Sequence, residues 1–222
     1  MSGVRRFDSF DRIISPNVPG CPEPTITQFV RAAAIEVCQR TLAWRYEMDP
    51  IILTPGIYEY DYDPAASTTI SSEVCHVLHA ALNDVQLPLV TQLELFRMYP
   101  GWPKTATADR SQPLRMSELG PDSFVVAPVP DNATTYSLKL FVALKPTRDA
   151  TGMDKSVLEE IEREVEHATL QRLYLIPEKS WTNEKIATYH AKQLTFKLAA
   201  RRAQFNLGAA KGSISVQQRP LA

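Results

Sequence analysis

Ile51-Ile52-Leu53, Thr54-Pro55-Gly56, Ile57-Tyr58-Glu59-Tyr60-Asp61-Tyr62 is the stretch on which the fold class turns. Aliphatic and aromatic residues flank a Pro-Gly pair on both sides. Pro sets φ at the first corner of a turn and Gly accepts positive φ at the second, so the string predicts strand, turn, strand. Tyr58, Tyr60 and Tyr62 alternate with Glu59, Asp61 and Asp63. That period of two gives the second strand one apolar and one acidic face.

The same character extends toward the C-terminus, to about residue 147. Val74 to Leu82 fits both a helix and a strand. The Asn83-Asp84 pair that follows, with Val85 to Leu89 behind it, favours a strand in a hairpin. Ser123 to Ala127 and Tyr136 to Leu144 read as further strands, and Leu93 to Tyr99 as a short helix before Pro100-Gly101-Trp102.

Helical periodicity brackets this region. Ile26, Phe29, Val30, Ala33, Val37, Thr41 and Trp44 predict a helix over about 24–45, with Glu23 and Pro24 suited to its first turn. From Asp154 a helix carries Leu158, Ile161, Val165 and Ala168 on one face, and Pro177 ends it. A last helix runs from about Thr182 to Asn206, with Gly208 as its stop. It bears two apolar stripes, Ala187, Ala191, Leu194, Leu198, Phe205 and Tyr189, Phe196, Ala199, Ala203. A helix apolar on two sides packs on two sides. The hairpin partner covers one stripe; the other calls for the first helix or another subunit.

These elements predict an α+β protein: a helical bundle, made of the N-terminal helix and a C-terminal helical hairpin, with an inserted antiparallel β-rich region and extended terminal arms. The divisions are an extended arm over 1–22, a helical domain from 23–50 and 151–207, the insertion over 51–150, and a flexible tail over 208–222. In the tail, Ile214 and Val216 alternate with polar residues, the pattern of a peptide that adds to another protein's sheet.

The 222 residues include 24 Lys and Arg against 25 Asp and Glu, a formal net charge of −1. Near-neutrality argues against a coat for nucleic acid. No apolar run is long enough for a membrane span, and Met1 to Phe10 holds Arg5 and Arg6 without the apolar stretch of a secretory signal. Three widely spaced cysteines, Cys21, Cys38 and Cys75, fit free thiols in a reducing compartment.

The small sum hides a segregation. Tyr46 to Phe96 contains eight acidic residues and no Lys or Arg; Lys179 to Ala222 contains eight basic residues and one acid. Lys185 and Lys192 share a helix face, as do Lys197 and Arg201, with Arg202, Lys211 and Arg219 completing the basic end. One reading is a solvated surface; the other is an oriented interface with an acidic partner. Lys185, Lys192, Lys197, Arg201, Arg202, Lys211, Ile214, Val216 and Arg219 are the candidate partner-binding residues. Glu59, Asp61, Asp63 and Glu73 are the candidate residues of the acidic surface.

No phosphate loop, nucleophile elbow, Rossmann glycine pattern or zincin motif is present, and no catalytic, metal or cofactor residue is assigned. Two Glu-x-x-His strings, Glu73 to His76 and Glu164 to His167, leave a di-iron carboxylate enzyme as the lesser alternative.

Gly20-Cys21-Pro22-Glu23-Pro24, Ile26 and the helix Val30-Arg31-Ala32-Ala33-Ala34-Ile35-Glu36-Val37-Cys38-Gln39-Arg40-Thr41-Leu42-Ala43-Trp44 resemble the opening of the head-to-tail adaptor (connector, tail tubular protein A-like) family of tailed bacteriophages. Pro55 to Tyr60 and the strand with its Asn-Asp turn over Val74 to Leu89 look similar too. The resemblance implies a non-enzymatic structural protein of the virion neck, made in the host cytoplasm. Its partners would be the portal protein, tail nozzle or tube proteins, and itself in a dodecameric ring. DNA would pass without sequence-specific binding, with Glu59, Asp61, Asp63 and Glu73 facing the channel or the tail, and no cofactor or membrane would be involved. A stopper or tail terminator is the alternative within the same class.

Overall fold

The computed structural model describes residues 3–64, 70–104, 106–120 and 122–207, without the side chains of 204–207. A short strand, β1 (Val4–Arg6), leads into three single helical turns: a 3-10 turn over Phe7–Phe10, α1 (Asp11–Ile14) and a second 3-10 turn over Ser15–Asn17. Phe7, Phe10, Ile14 and Val18 are fully buried. The spacing of these residues sets them on one side of the turns, and burying each contributes about 2–3 kcal/mol.

Helix α2 (Glu23–Thr41) follows, with Pro24 in its first turn where no N–H is needed. It stops at Leu42, which adopts φ +52° and donates its N–H to Cys38 O at 2.8 Å. The chain then enters β2 (Trp44–Glu47) and β3 (Ile51–Leu53), followed by β4 (Glu59–Asp61), β5 (Ser72–Leu82) and β6 (Val85–Gln86). Helix α3 (Gln92–Met98) is closed by a capping box between Thr91 and Glu94. After β7 (Arg115–Glu118), β8 (Ser123–Ala127), β9 (Tyr136–Pro146) and β10 (Gly152–Asp154) come α4 (Lys155–Glu160), α5 (Glu162–Tyr174) and α6 (Glu184–Leu207).

β9 organises the larger sheet. It pairs antiparallel with β5 from Leu82↔Leu138 to Ser72↔Pro146; β2 and β3 also pair with it, and β6 continues beyond β5. Asn83 and Asp84 both take positive φ, as a two-residue hairpin turn of this hand requires. Two register shifts in β5, at Val74/His76 and Val77/His79, bend the ladder. One of the three sheets curls into a half-barrel. A second sheet has the order β4-β8-β7, and β1 pairs with β10. Tyr60 and Tyr62 both lie on Phe124, at ring-centre distances of 5.6 and 5.1 Å.

The arrangement is α+β, but it is not a helical bundle with an insertion. Among the described residues it has six α-helices and ten strands in three sheets, and the strands are part of the frame. Strand β2, directly after α2, is the neighbour of β9, and α2 packs on β9. One continuous hydrophobic cluster contains Val30 and Val37 of α2, Leu140 and Leu144 of β9, Phe124 of β8 and Leu173 of α5. The sheet is therefore the surface on which the helices stand.

Other expectations shift with this. Residues 3–22 do not form the expected extended arm, because four buried apolar side chains fold them onto the core. The helix expected over 24–45 ends at Thr41, and Trp44 lies in β2. The strand pair flanking Thr54-Pro55-Gly56 is not a hairpin: β3 pairs with β9 and β4 with β8. The tail over 208–222 lies outside the described residues.

Candidate interaction surface

Helix α6 presents the side chains singled out by charge and by stripe. Its start is fixed by Asn183, whose Oδ1 accepts the Ile186 N–H at 3.1 Å and whose backbone carbonyl accepts from Ala187. The helix packs on α5 and α2 through buried Ala187, Leu194 and Leu198. These three belong to the first of the two predicted stripes; the side chain of Phe205, at its end, lies outside the described residues.

The second stripe is open. Phe196 is 73% exposed and Tyr189 56%, with Ile186, Ala199 and Ala203 also exposed beside them. At 1.5 Å rise per residue, Tyr189 and Phe196 stand about 10 Å apart on one line. Thr188 and Thr195 direct their hydroxyls to the carbonyls of Glu184 and Ala191, which removes polarity from the surface. Lys185 and Lys192 are exposed within the stripe and Arg202 is exposed on the same helix, while Lys197 is half-buried.

Arg201 turns inward. Its Nε donates to Glu164 Oε1 at 3.0 Å, and its terminal nitrogens donate to Glu160 Oε1 and to the Glu160 carbonyl, each at 2.5 Å. It joins α6 to α4 and α5 and is not part of the open face. Lys211, Ile214, Val216 and Arg219 lie outside the described residues.

The acidic candidates divide as well. Asp61 and Asp63 line a cleft of about 280 Å³ together with Asp49, Met48, Ile51 and Tyr60. Glu59 is exposed on β4 with its carboxylate 3.5 Å from the Ser123 hydroxyl. Glu73 sits on β5, paired with Lys145 at 3.0 Å. Among the described residues none from α6 lines the cleft, so the basic helix face and the acidic cleft lie apart.

The two Glu-x-x-His strings do not meet. His76 faces Glu118 at 3.2 Å on the sheet, where Glu118 also accepts the Val77 N–H; Glu164 is held by Arg201. Among the described residues no group of three or more His, Cys, Asp or Glu could hold a metal ion, and no helix is long and apolar enough to cross a membrane.

Two features escaped the sequence. His167 and His190 meet Nδ1 to Nδ1 at 2.9 Å between α5 and α6, beside Tyr174 and Tyr189. Burial holds both imidazoles below their ordinary pKa; Lys197 and Arg163 push His167 the same way against Glu164, and His167 pushes His190 down against Glu166. Helix α3 exposes Leu93, Phe96 and Met98 beside a recess of about 240 Å³ lined by Tyr99, Trp102 and Val129. Apolar residues on both sides of a seven-residue helix were the available signal for the second feature; nothing local announces the first.

No protein-family model matches the chain, and no curated protein matches it significantly.

Proposed function

We propose that this chain is a structural subunit of the tailed-phage neck: an adaptor that assembles as a ring, docks on the portal and joins head to tail while DNA passes through. The observation that carries the reading is the open face of α6. An exposed Tyr and Phe, two helical turns apart, lie on a helix whose other face is buried through Ala187, Leu194 and Leu198. Exposed aromatics in line on an otherwise well-buried fold mark a surface completed by another protein. The likeness of residues 20–60 to the adaptor family names the setting in which that protein would be a neighbouring subunit or the portal. The separated basic and acidic surfaces suit a subunit that meets different neighbours on different sides.

The test is decoration of purified tail-less, portal-bearing heads, imaged by electron microscopy. The expected result is a twelvefold ring of this protein beneath the portal. Bare portals at saturating protein overturn the proposal. A ring found on tail tubes and not on portals would mark a tail terminator and overturn the portal assignment.

A further inference from the structure

We infer that the cleft between α2 and the connection from β9 to β10 is a binding site for a phosphate oxyanion. The inference goes beyond the adaptor reading and does not depend on it. Arg31 and Arg148 line a cleft of about 310 Å³ together with Gln28, Ala32 and Ile35. Gln28, Arg31, Ala32 and Ile35 share one face of α2, and Arg148 comes from the connection. The Arg31 guanidinium is already placed: its Nη1 donates to the Arg148 carbonyl at 2.8 Å, which ties the helix to the connection. The connection is itself held as a turn. Ala150 donates its N–H to the Thr147 carbonyl at 3.2 Å, and the Thr147 hydroxyl donates to Asp149 Oδ1 at 2.7 Å.

Among the described residues neither guanidinium has a carboxylate within ion-pair distance. Arg31 is half-buried, and its Nε is buried without a hydrogen-bond partner; Arg148 is exposed. A guanidinium held partly out of water with no opposite charge beside it gains more from an anion than a fully solvated one does. Asp149 is the acid next in sequence, but its carboxylate serves Thr147. Among the influences that lower its pKa, the Thr147 hydroxyl comes first and Arg31 last. Ala32 and Ile35 make part of the lining apolar, which strengthens charged contacts there. The donor set favours phosphate over carboxylate. A carboxylate has two coplanar oxygens, which one guanidinium fork satisfies; a phosphate points its oxygens in several directions and suits two guanidiniums and an amide from separate places. Free phosphate and the phosphates of a nucleic-acid backbone share this chemistry.

The test is isothermal titration calorimetry of the full chain with inorganic phosphate at constant ionic strength. Wild type should bind one phosphate per chain, and should bind acetate at least tenfold more weakly. Arg148→Gln changes an exposed side chain, so it should keep the wild-type circular dichroism spectrum and melting temperature while weakening phosphate at least tenfold. No phosphate binding by wild type, or acetate bound as tightly as phosphate, would overturn the inference without any variant. Unchanged phosphate affinity in folded Arg148→Gln would overturn it too. Once phosphate binding is seen, a short DNA duplex separates the two sources. Duplex binding that weakens in Arg148→Gln, with a shallower salt dependence, supports a site for nucleic-acid backbone. Duplex binding that is absent, or the same in wild type and variant, supports a site for free phosphate.

Discussion

Replacing Arg201 with Ala should destabilise the protein by about 2–3 kcal/mol, a figure that follows from where its two acidic partners sit. Glu164 is only 6% exposed, and the Arg201 side chain is 18% exposed. Removing one partner of a buried pair leaves the other charge desolvated and unmatched, at a cost of roughly 3–5 kcal/mol when both are fully enclosed. Glu160 is largely exposed, so its share of the network is screened and adds at most a few tenths of a kcal/mol. Loss of the arginine stem from the α5–α6 seam adds a packing term. The assay is equilibrium urea unfolding of wild type, Arg201→Ala and Arg201→Ala/Glu164→Gln. The double variant should regain at least half of the loss, because the stranded carboxylate has gone. A loss under 1 kcal/mol in the single variant, with assembly abolished, would refute the reasoning. Arg201 would then belong to the partner surface, as its sequence position first suggested.

Further outcomes follow from the same structure. The folded-state pKa values of His167 and His190 lie below the ordinary 6.5, so the unfolded chain binds more protons as acid is added. Stability is therefore full above about pH 7 and falls as pH drops through 6.5; thermal melts from pH 7.5 to 5.5 should show it, and His190→Gln should flatten the slope. Gly152→Ala places a Cβ 2.5 Å from the Arg5 carbonyl oxygen and should force β1 away from β10, costing about 1–3 kcal/mol and exposing the first residues to limited proteolysis. Asn83→Ala removes a residue suited to φ +49° together with the Oδ1 that accepts the Ser137 N–H at 2.9 Å; a loss of about 1–2 kcal/mol in denaturant melts is expected. The Cys75 thiol is pushed up to about 11, first by burial, so at pH 8 it should react with a disulfide reagent on the order of a hundredfold more slowly than an open thiol.

Periodicity made the ladder-forming segments legible. β5, β8 and β9 fall where alternation and the Asn83-Asp84 turn put them, and α3 and α6 where helical spacing does. Pairing was not legible, because Ile51 to Leu53 and Glu59 to Asp61 flank a good turn yet find better partners in β9 and β8. The end of α2 was hidden because Leu42, not glycine, takes the left-handed position, while Trp44 continues the helical spacing past it. Pro16 falls inside the three-four-four spacing of Phe7, Phe10, Ile14 and Val18 and hides it, because proline interrupts a helix. On α6 the two stripes could be read directly, but the basic residues needed sorting. Arg201 continues the buried line of Leu194 and Leu198, and the facing Glu160 and Glu164, four apart, are the complementary sign. Counting charges without that line overstated the interface.

The pairing of Val4 with Asp154 also bears on how the chain comes off the ribosome. At about 5–20 residues per second, the β10 partner of the first strand is made roughly ten to thirty seconds after it. Through that interval Phe7, Phe10 and Ile14 lack part of the core that buries them in the native protein. The β1–β10 contact spans about 150 residues and closes late, at a loop-entropy cost that local helices do not bear. The nascent β1 segment is thus exposed to chaperones and to aggregation until β10 arrives, and the clasp can close before α5 and α6 have been made.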